Sequence, residues 1–268
     1  MPTDKSTDSA RPVVVAAIGN TRVRFGIWSG GEVLDPVSLE HAAFDGSLSI
    51  LGDAGVDADL CVIASVDRDA EAAILKKLVD ASPGTDVLRI GVDIPIPLQH
   101  NLDDASTLGR DRALNALAAY HRAEQACAVV DVGTAVTVDF VDGEGTFQGG
   151  MIAPGVRMML ASLHADTDAL PRLAAALPDP ARGPYGKDTA HSMQLGVYTA
   201  IAGLVRTSVE RFADAYDAWP QIIATGGDAG LLERDGLIEH FVPDLQLLGI
   251  GICIDRAAAA ASATDDDA

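Results

Sequence analysis

Apolar residues along this chain gather either in short unbroken runs bounded by turns or in longer stretches with helical spacing, so strands and helices alternate. Arg11 to Ile18 reads as a strand, Gly19-Asn20-Thr21 as a turn, and Arg22 to Trp28 as a returning strand of alternating polarity. Leu60 to Val66 is a buried strand, a helix over about 68–80 carries Ala72, Ile74, Leu75 and Leu78, and Val87 to Ile90 is a short strand. A helix capped by Ser106 or Thr107 starts near Gly109 and runs through Leu114, Leu117 and Ala118 to about Gln125. Ala126 to Val130 and Val138 to Val141 are strands on either side of a tight turn at Asp131-Val132-Gly133-Thr134-Ala135-Val136-Thr137. Phe147 to Ile152 is a further strand, and Pro154 opens a helix through Met158, Leu160 and Leu163. Met193, Val197, Ile201, Leu204, Val205, Val209 and Phe212 mark a long helix over about 190–215. A strand at 221–225, a short helix at 228–234 and a final helix over about 249–261 close the chain, with polar tails expected at 1–11 and 263–268.

Two strand-turn-strand units, each with Gly followed closely by Thr, begin the two halves of this pattern. Glycine lets a backbone come close to a phosphate, threonine hydroxyls and turn amides donate to its oxygens, and a strand-end carboxylate such as Asp131 can hold a cation beside it. An ordinary hairpin with a polar tip has the same look, so a single copy decides nothing. Two copies can grip a nucleotide triphosphate from both sides, the logic of the actin-like and sugar-kinase superfamily. Ile222-Ile223-Ala224-Thr225-Gly226-Gly227-Asp228, a strand running into a glycine pair, suits a backbone that approaches an adenosine. The expected fold is α/β: a duplicated ribonuclease-H-like (actin-like ATPase) fold of two lobes, 12–125 and 126–262, with mixed sheets and an interlobe nucleotide cleft.

With 39 Asp plus Glu against 19 Lys plus Arg, the formal charge of −20 repels nucleic acid and anionic membranes, and both are excluded as main partners. The same field repels ATP, so a nucleotide site must rely on local amides, basic residues and cations. An acidic, lysine-poor surface also suits a high-salt cytoplasm, where screening removes the self-repulsion. Cys61, Cys127 and Cys253 each sit in an apolar run without metal-ligand spacing, which points to buried thiols in a reducing compartment. No secretory signal opens the chain and no apolar run approaches a bilayer span, so a cytoplasmic protein is expected.

Arg110, Asp111 and Arg112 fall in the first turn of the helix that begins near Gly109, where exposed amides and the dipole favour anions. An aspartate flanked there by two arginines can take a proton from a hydroxyl while an arginine holds an anionic substrate. A solvated helix start with ion pairs is the alternative.

Gly109-Arg110-Asp111-Arg112, the turns at 19–21 and 131–134, Gly149-Gly150-Met151-Ile152-Ala153-Pro154-Gly155, Leu170-Pro171, Gly186-Lys187-Asp188-Thr189 and Ala224-Thr225-Gly226-Gly227 occur in the order and spacing of type III pantothenate kinases. The chain resembles that family over about 12–255. The resemblance implies transfer of the ATP γ-phosphate to the primary hydroxyl of pantothenate, the first step of coenzyme A synthesis, by a homodimer that uses Mg2+ and a monovalent cation, K+ or NH4+. It implies that Asp111 is the proton acceptor and that Gly109, Arg110, Asp111 and Arg112 bind pantothenate together with Thr189. It further implies that Asp131 binds the monovalent cation, Thr134 contacts ATP, and Ala17, Ile18, Gly19, Asn20, Thr21, Arg22, Val23 and Arg24 form the N-terminal ATP loop. Two positions depart from the family pattern: Ala17 replaces an aspartate that helps hold the metal and phosphates, and Leu102 replaces a tyrosine of the pantothenate pocket. Asp103 or Asp104 is a candidate replacement carboxylate. A kinase-like binding or regulatory protein without turnover, and a kinase for another small hydroxy acid, are the two alternatives these departures raise.

Overall fold

The computed structural model describes residues 12–265, and the chain forms two compact units, 12–96 with 246–265, and 97–245. Residues 97–125 pack with the second sheet and 246–262 with the first unit, whereas the periodicity put the division at 125/126. The first expected tail, 1–11, lies outside the described residues, as do 266–268; over 263–265 the last helix continues in place of a tail.

In the first unit, β1 (Val13–Ile18), β2 (Arg22–Ser29) and β3 (Glu32–Glu40) form an antiparallel meander. The short α1 (Gly52–Val56) leads to β4 (Leu60–Ser65), α2 (Arg68–Ala81) follows, and β5 (Asp86–Arg89) completes the order β3-β2-β1-β4-β5. Strands β1, β4 and β5 run parallel, so β1 lies between two partners and its Val-Val-Val-Ala-Ala-Ile run is buried nearly throughout. Asp67 caps α2 by accepting from the amides of Asp69 and Ala70, and Ile74 and Leu78 form its buried stripe. Strand β3 was not anticipated: its alternate residues are exposed and Asp35 takes a left-handed φ of 48°, which dilutes the period-2 signal.

In the second unit, β6 (Gln99–His100) is followed by α3 (Arg110–Ala123), the meander β7 (Cys127–Val132), β8 (Ala135–Val141) and β9 (Thr146–Pro154), then α4 (Val156–Ala165) and α5 (Thr189–Tyr216). Strands β10 (Gln221–Thr225) and β11 (His240–Phe241) extend the sheet, whose order is β11-β10-β7-β8-β9-β6. Both sheets are mixed, as the α/β expectation requires.

Several boundaries moved for identifiable reasons. The turn at 131–137 shrinks to Gly133-Thr134, because Val132 and Val136 already pair. Pro154 ends β9 opposite Ala135 and does not start α4; Gly155 is the cap, and its amide bonds Thr134 O at 3.0 Å. Ser106 and Thr107 do not cap α3. They sit in a separate 3-10 turn capped by Asp104, and Gly109 is the residue at the N-cap of α3. The final helix, α6 (Leu245–Asp265), starts four residues earlier than expected. Its residues 245–263 have a mean hydropathy of 1.3, long and apolar enough to cross a bilayer, which corrects the expectation that no run approaches that length. In the first unit α6 acts as a core helix: Gly251 lies so close to the Trp28 ring that a Cβ would come within 2.2 Å of it, and the Trp28 indole N–H donates to Asp255 at 2.9 Å. All three cysteines are free and buried, and burial pushes the Cys61 and Cys127 thiols up to about 12.

Candidate active site

Helix α3 carries the candidate base. Asp111 lies in its first turn, and its Oδ1 accepts from the Arg112 amide at 2.9 Å. A Cβ at Gly109 would come within 2.5 Å of that oxygen, so the glycine leaves room for this carboxylate at the helix mouth. Four residues on, Asn115 is 3% exposed and donates through Nδ2 to Asp131 Oδ2 at 3.0 Å. Residues spaced by four share a helix face with Cβ atoms about 5–6 Å apart, so Asn115 ties the face that bears Asp111 to the end of β7. The Cβ direction of Gly133 in turn points to Asp131 Oδ1 at 3.4 Å. Asp131, at the foot of the 133–134 turn, is thus held to α3 one helical turn past Asp111 by a buried asparagine that the sequence shows only as part of an apolar helix.

The 133–134 tip is packed from two further sides. A Cβ on Gly155 would fall 2.4 Å from Gly133 O and 2.5 Å from Thr134 O, so the N-terminus of α4 abuts the tip. Gly226, at φ 98°, approaches Val132 O and Asp131 Oδ1 equally closely, and Asp228 N donates to Val132 O at 2.9 Å. The glycine pair after β10 therefore does bring backbone up to this turn. Beside it, Val156, Ala175, Leu177, Gly227, Asp228 and Leu231 border an open, largely apolar cleft of about 230 Å³.

Arg112 leaves the same turn of α3 toward β8. Its Nε donates to both carboxylate oxygens of Asp139 at 3.1 Å, Nη2 reaches Oδ1 as well, and its guanidinium carbon stands 5.6 Å from the Phe147 ring centre. Asp139 is 1% exposed; burial pushes its carboxyl above the ordinary aspartate value, with Arg112 pulling the other way. Nothing in the apolar run Val138-Asp139-Phe140-Val141 marks Asp139 as the partner of an arginine 27 positions away.

Leu102 follows the β6 pairing with β9 and lies over Gly149, with a Cδ 3.5 Å from where that glycine's Cβ would be. Asp104 is committed as the cap of the 105–107 turn, accepting from the Ser106 amide at 2.9 Å and hydroxyl at 2.6 Å, and that hydroxyl first and amide second hold its carboxyl below the ordinary value. Thr189 is the exposed first residue of α5, and among the described residues no hydrogen bond joins it to the Asp111–Asp131 group. Arg110 is half-buried at the start of α3.

The N-terminal loop belongs to the other unit. Gly19 N donates to Arg22 O at 2.9 Å to close the turn, Asn20, Thr21 and Arg22 are exposed, and Ala17 is 2% exposed between Arg24 on β2 and Ala64 on β4. His164 and His191, which carry no assigned role, respectively bond the Leu170 carbonyl and accept from Lys187 N at the start of α5.

A family model described as type III pantothenate kinase matches residues 13–211. The chain is 34% identical over 244 residues to the type III pantothenate kinase of Ruegeria pomeroyi, covering 87% of this chain and 93% of the relative. It is 32% identical to that of Gluconobacter oxydans over 91% of this chain and 93% of the relative. Among solved structures, a Baf family protein of Campylobacter jejuni superimposes with a TM-score of 0.58 at 20% identity, over 92% of this chain and 99% of that one. The activator of the 2-hydroxyisocaproyl-CoA dehydratase of Clostridium difficile, solved with bound ADPNP, gives 0.54 at 12% identity over 94% and 97%. These likenesses show a shared fold. By its sequence over most of its length, the chain belongs to the type III pantothenate kinase family.

Proposed function

We propose that the chain transfers the γ-phosphate of ATP to the primary hydroxyl of pantothenate, the first step of coenzyme A biosynthesis. The observation that carries this reading is the Asn115–Asp131 hydrogen bond, which ties the second carboxylate to α3 one helical turn past Asp111. In this scheme Asp111 accepts the hydroxyl proton, Arg112 faces the acceptor's carboxylate, and Gly109, Arg110, Leu102 and Thr189 complete the acceptor contacts. ATP contacts fall to Thr134 and to the loop Ala17–Arg24. Positioning and charge neutralisation, with no covalent intermediate, carry the transfer.

The residues fit a monovalent cation at Asp131. Its carboxylate stands at a strand end, where Oδ1 and Val132 O both face Gly226, and among the described residues the buried Asn115 Oδ1 has no hydrogen-bond partner, so the donor set is oxygen only, as a hard cation requires. A bound K+ or NH4+ would supply fixed positive charge beside the phosphates. A carboxylate-held Mg2+ at the first hairpin does not fit, since Ala17 and its neighbour Ala64 bring no side-chain oxygen. Among the described residues no group of three or more His, Cys, Asp or Glu side chains could hold a metal. Mg2+ would therefore arrive with the nucleotide and supply charge neutralisation at its phosphates.

The homodimer is proposed to use α5. Gly196 and Gly203 lie two turns apart, both exposed, and beyond the helix's own backbone nothing among the described residues comes within 4 Å of where a Cβ would stand, so close packing among these residues does not account for them. We assign the protein to the cytoplasm, where coenzyme A synthesis and reduced thiols belong together.

Incubating the purified protein with MgATP, KCl and a panel of hydroxy acids, with products identified by mass, tests the reading. Phosphorylated pantothenate is expected. ATP binding without any product supports the second reading, a nucleotide-binding regulator, which the buried Ala17 favours. Product from another acid alone assigns the change to Leu102.

A further inference from the structure

Arginines that recognise a carboxylate work best when their planar fork is held still before the ligand arrives, since an exposed guanidinium spends its binding energy on its own ordering. Arg112 is held in that way. Its side chain is 16% exposed, and its partner Asp139 is 2% exposed on its own strand, β8. One edge of the guanidinium is engaged, Nε with both Asp139 oxygens at 3.1 Å and Nη2 with Oδ1. Its guanidinium carbon lies over the ring of the fully buried Phe147, 5.6 Å from the ring centre. Among the described residues Nη1 makes no hydrogen bond.

The room for this clamp is visible in the backbone. A Cβ at Gly150, the residue that pairs with Asp139 across β8 and β9, would fall 2.2 Å from Asp139 Oδ1 and 2.4 Å from Val138 O. Gly150 therefore has to be glycine for Asp139 to keep this orientation. The adjacent Gly149, at φ 107°, likewise faces Leu102. The Gly-Gly pair thus serves the acceptor side: one glycine admits the clamp and the other admits the residue beside it.

We propose that Asp139 is a positioning residue for the acceptor site, one that fixes the Arg112 guanidinium so that its free Nη1 edge meets the acceptor's carboxylate. This rests on the pantothenate kinase reading. It assigns Asp139 a part in acceptor specificity and none in nucleotide binding or in proton transfer.

The test compares two acceptors, pantothenate and pantothenyl alcohol, which keeps the primary hydroxyl and lacks the carboxylate. In Asp139→Asn the KM for pantothenate should rise about tenfold or more, because a charge-assisted contact loses its geometry, with kcat and the KM for ATP nearly unchanged. The KM for pantothenyl alcohol should stay near the wild-type value. Equal increases for both acceptors, or no increase for either, overturn the proposal, since a merely structural role does not distinguish them. The Arg112 Nε–H signal in nitrogen-edited NMR provides a readout independent of turnover: it should be resolved and slowly exchanging in the wild type and lost in Asp139→Asn. An unchanged signal overturns the clamp even if the protein phosphorylates nothing. Absence of product from wild-type protein with both acceptors counts instead against the parent reading. Should Asp139→Asn fold poorly, Gly150→Ala displaces the same carboxylate without changing its charge and should reproduce the acceptor-selective rise in KM.

Discussion

The two hairpins are built alike and equipped differently. In each, the first strand has six residues, and the fifth stands at the same place: Ala17 in β1, Asp131 in β7. Each fifth residue also has a parallel neighbour in register, Ala64 on β4 for Ala17 and Thr225 on β10 for Asp131. The first position is thus buried, methyl against methyl, while the second is a carboxylate with an asparagine donor and a threonine alongside. One strand-turn-strand frame can carry either an apolar wall or a charged ligand site, and the choice depends on a single residue and its lateral neighbours. Of the two matching positions, the one in the second unit carries the charge.

The largest effect expected from disturbing that contrast is at Asp131. Asp131→Ala removes the carboxylate that accepts from Asn115 and should lower kcat by about 10²-fold or more while erasing the response to K+. Steady-state rates at varied K+ check this; a variant that keeps full K+ activation would contradict the cation assignment. Next is Ala17→Asp, which makes the hairpins alike. With no oxygen on Ala64, the new carboxylate should cost about 1–3 kcal/mol in urea unfolding without nucleotide, and MgATP should recover part of that loss. A rate above wild type would show that the first hairpin is limited by its missing ligand, whereas no change would show that the second hairpin suffices.

Gly155→Ala should be comparable in stability and separable in function. Its methyl would press into Gly133 O and Thr134 O, backbone atoms with little freedom to retreat, so a loss of about 1–3 kcal/mol and a raised KM for ATP are expected. Calorimetric ATP affinity equal to wild type would separate the α4 terminus from the nucleotide. The smallest effect belongs to the α5 cap. The His191 amide first and Arg182 second hold Asp188 below the ordinary aspartate value of 3.8, so its contribution is present above that value and fades as pH falls through the lowered one. Asp188→Asn keeps a capping oxygen but does not titrate, and thermal melts between neutral and acid pH should lose a little of their acid-side slope.

The frame of both hairpins was legible because apolar runs broken by Gly-Asn-Thr and Gly-Thr are local signals, and α5 was legible because its spacing persists over 28 residues. The candidate base at Asp111 and the ligand at Asp131 were readable as motif residues. What joins them was not. Asn115 reads as an interruption of an apolar helix, Asp139 reads as a flaw in an apolar strand, and their partners lie 16 and 27 positions away. Such pairings are set by tertiary packing and leave no periodic trace. Pro154 misled for a related reason, since proline serves at a strand end as well as at a helix start, and only the Ala135 pairing decides between them.

The central claim is that Asp111 takes the acceptor's proton from a site organised around Asp131. It is tested most directly by measuring, on one preparation, calorimetric ATP affinity and the rate of pantothenate phosphorylation for wild type and Asp111→Asn. The account predicts equal ATP affinity and a rate lower by about 10²–10⁴-fold in the variant. A variant that phosphorylates pantothenate at the wild-type rate would contradict it.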